Sequence, residues 1–391
     1  MKRWLLNTPG LILCVTLLLP VPTGGQAAYP VVRLDGKLHL DAAFYDEDRN
    51  PLSSGAEARR ARLAATGEFS PRLRFQLEVD FADDELNVRD AWLMYDLSRV
   101  LRFQAGSFKE PFTLENVTNS NYISFLERSL MDGAFAPPRH LGAAVRAHYS
   151  RYAGALGVFG NEVGAEFGPV LTQNQPIGVS FRNTVALINS PGRLLHLGAG
   201  LRWRSADVED DDSLFVAFAA ISETHVDQIE LYNTGNILNG TSYNQAGGEA
   251  AIVRGPFSVQ GEYVWTRANR SPGVEPVFSG GYVFLSVIPT GESRAYDAQD
   301  ARFLNVTAAR HWYGAIELLL RYSRLDLNDA GILGGAGHDW TLAGNWYPTS
   351  NVRVMVNYVF TNHDAFANGD GSFAGNDDFS VFQFRVAYFF K

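Results

Sequence analysis

Leu73-Arg-Phe-Gln-Leu-Glu-Val-Asp-Phe81 carries the plainest pattern in the chain. Its odd-numbered residues are all apolar, and the residues between them are all charged or amide-bearing. Successive strand side chains point to opposite faces, so this is a strand with one greasy and one wet face. Toward the N-terminus, Val32, Leu34, Leu38, Leu40, Ala42 and Phe44 share one face, and Arg33, Asp35, Lys37, His39 and Asp41 share the other. Two such strands fit a soluble sandwich as well as a membrane barrel. Recurrence separates the two, because the pattern returns near residues 101–107, 143–149, 195–203, 257–265, 282–288, 316–322, 342–346, 352–360 and 382–390.

Connections alternate in length. Tight turns at 70–71, 97–100, 150–151, 190–192, 255–256 and 348–351 are separated by polar stretches at 46–56, 162–176, 268–277, 328–338 and 362–378. Tight turns on one side and long loops on the other are the connectivity of an outer-membrane barrel. Seventeen segments qualify as strands, but single-chain bacterial barrels usually have an even number. Residues 214–221, hemmed in by Asp210-Asp-Asp212, are the doubtful ones, so the expectation is sixteen strands around an aqueous channel. The last strand sets Phe382, Phe384, Val386, Tyr388 and Phe390 on one face. Left bare, so aromatic an edge would aggregate, so closure of a barrel is expected. Such a terminal strand is also a signal for barrel-assembly machinery, although Lys391 follows it here.

Composition agrees. The chain carries 26 Phe, 16 Tyr, 7 Trp and 37 Gly, and after residue 28 nothing approaches eighteen consecutive apolar residues. No transmembrane helix is therefore available. Lys2 and Arg3, the apolar stretch 11–19 and Gly25-Gln-Ala27 read as a signal peptide over 1–27, leaving a single barrel over 28–391. Cys14 is the only cysteine and falls in that leader; Leu13 before it is not the small residue that a lipid anchor needs. The mature chain therefore has no disulfide. Without Lys2 and Arg3 the formal charge goes from −9 to −11, from 31 basic and 42 acidic residues. Nucleic-acid binding calls for a basic patch, which so acidic a chain does not suggest.

One early segment keeps neither rhythm. Residues 106–139 include Phe108-Lys-Glu-Pro-Phe112, Phe125-Leu-Glu-Arg128 and Ala134-Phe-Ala136. A loop of this length usually has a function or is disordered. Phe108, Phe112, Tyr122, Phe125, Leu126 and Phe135 are anchors, so the expectation is an ordered loop, about 109–139, folded inward to narrow the pore. Those three motifs, in that order, resemble the constriction-loop region of the phosphate-selective porins O and P. Arg59-Arg-Ala-Arg-Leu63, Gly255-Pro-Phe-Ser-Val-Gln-Gly-Glu-Tyr263, Pro289-Thr-Gly-Glu292, Arg321-Tyr-Ser-Arg-Leu-Asp-Leu-Asn328, Asn345-Trp-Tyr-Pro348 and Asn351-Val-Arg-Val-Met-Val-Asn-Tyr358 extend the likeness over nearly the whole mature chain. The resemblance implies an outer-membrane porin that forms trimers. Two departures stand against phosphate specificity. Val216-Ala-Phe-Ala-Ala-Ile-Ser-Glu223 has no base where phosphate-binding members carry an arginine ladder, and Asn116 stands where they carry a lysine.

The candidate lining follows from the faces. Alternation puts Arg60 and Arg62 in the lumen, with Arg74, Arg102, Arg146, Arg202 and Arg204 as further inward candidates. An arginine is a permanent charge whose donor fork suits phosphate and carboxylate oxygens. Each either meets passing ions or pairs with acids such as Glu68, Glu78 and Asp80 to brace the wall. On the loop, Lys109, Arg128 and Arg139 face Glu110, Glu115 and Glu127, with Asn116 among them. Three bases against three acids predict mild selectivity, and the second reading has Glu127 and Arg128 docking the loop to the wall.

Catalytic patterns are missing from the sequence. Its eight histidines show no His-Glu-x-x-His spacing, and neither a Gly-x-Ser-x-Gly elbow nor a phosphate-binding glycine loop occurs. No cofactor is expected; Asp210–Asp212 and Asp377-Asp378 are outer-loop charge with calcium as the other reading. The expectation is a water-filled channel for passive diffusion of small hydrophilic solutes or ions, anions such as phosphate included, with weak selectivity. The rival is a plugged barrel acting as an anchor or adhesin.

Overall fold

The computed structural model describes residues 29–82, 86–163, 175–208, 213–306 and 311–390. The leader 1–27, Asp210–Asp212 and Lys391 lie outside them.

Sixteen antiparallel strands close into one barrel. In chain order these are β1 Val31–Asp46, β2 Gly55–Ser70, β3 Leu73–Asp80, β4 Asn87–Asp96, β5 Leu101–Lys109, β6 Arg139–Tyr149, β7 Tyr152–Phe159, β8 Gly178–Ser190 and β9 Arg193–Ser205. They continue with β10 Gly240–Arg254, β11 Phe257–Arg270, β12 Val277–Val287, β13 Ala315–Asp329, β14 Ile332–Tyr347, β15 Val352–His363 and β16 Ser380–Phe390. Closure joins the ends of the chain, with Gly36 opposite Phe390 and Asp46 opposite Ser380. Every strand then has two partners, so no edge meets lipid unpaired.

The two faces are inverted relative to a soluble protein. On β1, Leu34 is 70% exposed and Phe44 57%, whereas His39 is 1% exposed and Asp41 6%. Apolar side chains look outward and polar ones are buried inside, the arrangement of a barrel in lipid. Between β1 and β2 the register slips, with His39 opposite Arg60 and Leu40 opposite Ala58. Arg59 is the extra residue of this bulge, so Arg59 and Arg60 are both free to reach inward.

One sequence expectation about connections changes. Residues 328–338 do not form a long loop. β13 and β14 run 15 and 16 residues and meet at Ala330-Gly331, whose φ angles of 51° and 82° make a two-residue turn. Strands need only about 9–11 residues to cross a bilayer, so this hairpin stands well clear of it. Residues 214–221, the doubtful segment left out of the expected sixteen, lie outside the barrel sheet. Leu214–Val216 pairs with Asp207–Val208 and Ile237–Leu238, and Ala219–Ala220 pairs with Tyr232–Asn233, all apart from the barrel sheet.

Three segments fold into the lumen. From the long-loop mouth come the β5–β6 loop and the β9–β10 connection. From the short-turn mouth comes the β12–β13 connection, a hairpin in which Arg294–Asp297 pairs with Arg302–Val306. The first two bury Phe125, Leu130, Met131, Phe135, Phe218 and Tyr232 against wall residues that include Phe278, Phe284, Leu325 and Val381. An apolar core thus fills the β11–β16 side and leaves the open space along β2–β9.

Candidate functional site

The β5–β6 loop is ordered by two short helices. α1 (Leu114–Val117) is capped by Thr113, whose hydroxyl accepts the Asn116 amide, and α2 (Leu130–Phe135) by Ser129, which accepts from Asp132. Side-chain caps satisfy amides that the first turn of a helix leaves unpaired. The wall adds a second cap, since Glu262 of β11 accepts the Leu114 and Glu115 amides at 2.7 Å each. Where the loop crosses β9 the wall has Gly200. A Cβ there would lie 2.4 Å from the Phe112 carbonyl oxygen, so only glycine lets the two backbones come this close.

Glu127 fixes the far side. Its carboxylate takes Arg59 Nε at 2.9 Å and Arg385 at 2.7 Å, with Arg60 3.7 Å away. Burial alone would raise its pKa, but Arg59, Arg60 and Arg385 hold it well below the usual carboxylate range. Arg385 also donates to the Leu126 carbonyl at 2.6 Å and pairs with Asp41. This is the loop-docking arrangement for Glu127, whereas Arg128, read from sequence as docking beside it, belongs to the loop's interior. It donates to the carbonyls of Glu115 (3.1 Å) and Thr118 (3.0 Å) and pairs with Asp132 at 3.6 Å. Burial pushes Asp132 up to about 7 despite that arginine.

The other candidates fall into local pairs. Glu115 accepts from the Ser129 hydroxyl at 2.6 Å, and the Asn116 amide donates to the Pro137 carbonyl at 2.9 Å. Lys109 donates to the Asn116 carbonyl. Glu110 sits against His140, Ser180 and Arg202; burial opposes its charge, yet Arg202 and His140 hold it down at about 2. Arg62 pairs with Asp80 (2.6 Å) and Glu78 (3.0 Å), Arg74 with Asp96 (2.6 Å), and Arg139 with Asp90 (2.9 Å). Asp377, read from sequence as solvated charge or a calcium ligand, is buried and accepts the Arg49 and Asn50 amides, tying two outer loops together. Among the described residues no cluster of His, Cys, Asp or Glu could hold a metal.

Open space lies on both sides of the loop. Toward the long-loop mouth a cavity of about 590 Å³ touches Pro137, His140, Arg202, Arg204, Asp207 and Tyr243. Toward the short-turn mouth a cavity of about 280 Å³ touches six bases (Arg74, Arg102, Lys109, Arg139, Arg146 and Arg302) and two acids, Asp90 and Asp300. Asp300 and Arg302 belong to the β12–β13 hairpin, which sequence reading passed over. Asp300 pairs with Arg102 at 2.9 Å, Arg182 donates to the Ala301 carbonyl at 2.8 Å, and the Tyr296 hydroxyl lies 2.7 Å from His196. The signal available was the 27-residue gap between the segments ending at Ile288 and starting at Ile316, too long for a tight turn.

The model of the family described as "Phosphate-selective porin O and P" matches residues 32–390. An uncharacterized protein of Caulobacter vibrioides is 26% identical over 375 residues, covering 91% of this chain and 74% of the relative. Porin O of Pseudomonas aeruginosa is 24% identical over 395 residues, covering 92% and 88%. Among solved structures, the chain is similar to OmpT of Vibrio cholerae (TM-score 0.57, 14% identity, 93% of this chain and 99% of that one). It is also similar to an anion-selective porin from Comamonas acidovorans (TM-score 0.56, 14% identity, 92% and 100%). At these identities the structural likeness establishes the shared fold, and the family match carries the rest. The chain belongs to the phosphate-selective porin O and P family and is an outer-membrane channel, not an enzyme.

Proposed function

We propose that this chain passes small hydrophilic solutes by passive diffusion, with a modest preference for anions and none specific to phosphate. The observation that carries this reading is the cavity below the loop, where six bases meet two acids. Charge of one sign in a confined lumen raises the local concentration of counter-ions. The preference is modest because most of these bases are already paired. Lys109, Glu110, Glu115, Asn116, Glu127, Arg128 and Arg139 set the width of the passage mainly by shaping and docking the loop, and Arg60, Arg62 and Arg74 brace the wall. Against phosphate specificity stands residues 216–223, which carry no base and, at Glu223, bury an acid against Arg321.

The leader over 1–27 directs export, the aromatic β16 is offered to barrel-assembly machinery, and three barrels associate, as in the trimer form of OmpT from Vibrio cholerae. Planar-bilayer recording tests the channel. Stepwise conductance is expected, with a reversal potential in a potassium chloride gradient shifted a little toward chloride. A barrel stopped by its own insertions and serving as an anchor would give no steps. Cation preference, or strong anion preference abolished by millimolar phosphate, would overturn the selectivity.

A further inference from the structure

The cavity below the loop has a feature that charge alone does not explain. Arg102 of β5 and Arg146 of β6 are direct cross-strand partners. Like charges placed opposite each other in a sheet repel unless an anion lies between them. The protein supplies half of one: Asp300, carried in by the β12–β13 hairpin, pairs with Arg102 and, at 3.1 Å, with Arg302. Arg146 lies within the field of Asp300 but is not paired with it. It donates Nε to the Gln104 amide at 2.7 Å and makes no ion pair among the described residues. Its guanidinium stands 5.8 Å from the Phe108 ring centroid. Phe108 packs with Phe159 and Trp92, and Trp92 and Met94 line the same cavity.

We propose that this cavity is a binding site for solutes joining a carboxylate to a single aromatic or branched apolar group, with Arg146 taking the carboxylate and Trp92 and Phe108 the apolar part. The inference rests on the channel reading and names its substrate class. A planar guanidinium offers paired N–H donors that match carboxylate geometry, and stacking on Phe108 keeps that plane oriented. The Asp300–Arg102 pair is the same contact made from within the chain. An inorganic oxyanion would find the bases here but would gain nothing from Trp92, Met94 and Phe108, whereas an apolar group buried against them leaves water. At about 280 Å³ the space falls near the lower end of ligand pockets, about 300–1,000 Å³, which suits a one-ring solute.

Equilibrium dialysis of labelled benzoate, acetate and inorganic phosphate against the detergent-purified barrel tests this without requiring conductance. Benzoate is expected to bind more tightly than either acetate or phosphate. Trp92→Ala should weaken benzoate about tenfold while leaving acetate unchanged, because it removes an aromatic contact and no charge. Arg146→Gln should weaken benzoate and acetate together, and Trp92→Leu, which keeps an apolar side chain, should fall between wild type and Trp92→Ala. Heat-modifiable migration in gels confirms that each variant is an assembled barrel. Equal binding of benzoate and acetate, tighter binding of phosphate, or no effect of Trp92→Ala overturns the site. Benzoate binding to a barrel without conductance would instead overturn the channel reading and leave this one standing.

Discussion

Glu127 is where the inward loop is held to the wall, and its environment sets what a substitution there does. Its carboxylate is the shared partner of Arg59, Arg60 and Arg385, and both Arg60 and Arg385 are almost wholly enclosed. Removing one partner of a buried ion pair leaves the others uncompensated, at a loss of about 3–5 kcal/mol. Glu127→Gln keeps the shape and removes the charge. It is expected to lower the temperature at which the barrel loses its folded gel migration and to raise the noise of open-channel current as the loop loosens. An unchanged melting temperature and a quiet channel would show that the arginines find other partners. Arg59 takes part only because the β1–β2 bulge turns it inward beside Arg60.

At the scale of the element, the loop's two helices meet through Arg128, Asp132 and Glu115. Asp132 lies in the first turn of α2, and its pKa is raised by burial to about 7, against about 3.9 in an unfolded chain. The folded state therefore holds its proton more firmly than the unfolded state does. Stability from this group is fully present below about pH 4 and is lost as pH rises through 7. Docking of the loop should thus weaken from pH 5 to pH 8, and Asp132→Asn should flatten that dependence. Thermal unfolding followed across this range in both proteins gives the answer; parallel curves would remove Asp132 as the cause. Helix caps and the close approach at Gly200 persist throughout, so the expected change is a loosening and not a loss of the loop.

For the whole molecule, the passage is decided by what occupies the lumen. A sixteen-strand barrel leaves an aqueous channel, but here an apolar core fills one side and the β12–β13 hairpin enters from the short-turn mouth. Replacing residues 289–313 by a tight turn removes Asp300 and Arg302 together and uncovers Arg102 and Arg182. Single-channel conductance is expected to rise, by about twofold or more if the hairpin forms the narrowest section, and anion preference to strengthen, because Arg102 loses its acid partner while Arg182 stays paired with Glu249. A barrel that assembles with unaltered conductance would place the narrowest section at the β5–β6 loop alone.

Much of this architecture was legible in the chain because it is local. Period-two alternation is imposed by strand geometry, so the greasy face, the tight turns, the expected sixteen strands and the inward loop over 109–139 could be read residue by residue. Lumen positions such as Arg60, Arg62 and Arg102 followed from the same parity. What parity does not contain is the partner. Glu127 meets Arg385 258 residues away, and Arg102 meets Asp300 198 residues away. Residues 328–338 carry no alternation yet form the end of β13, its turn and the start of β14, because the neighbouring strands supply the hydrogen bonds that the side chains do not advertise. Side-chain chemistry and pleat alone set which face of each strand points outward, so that much is written in the chain. Which charges are paired came only from the folded barrel, because pairing depends on distances that closure and the infolding of three segments create.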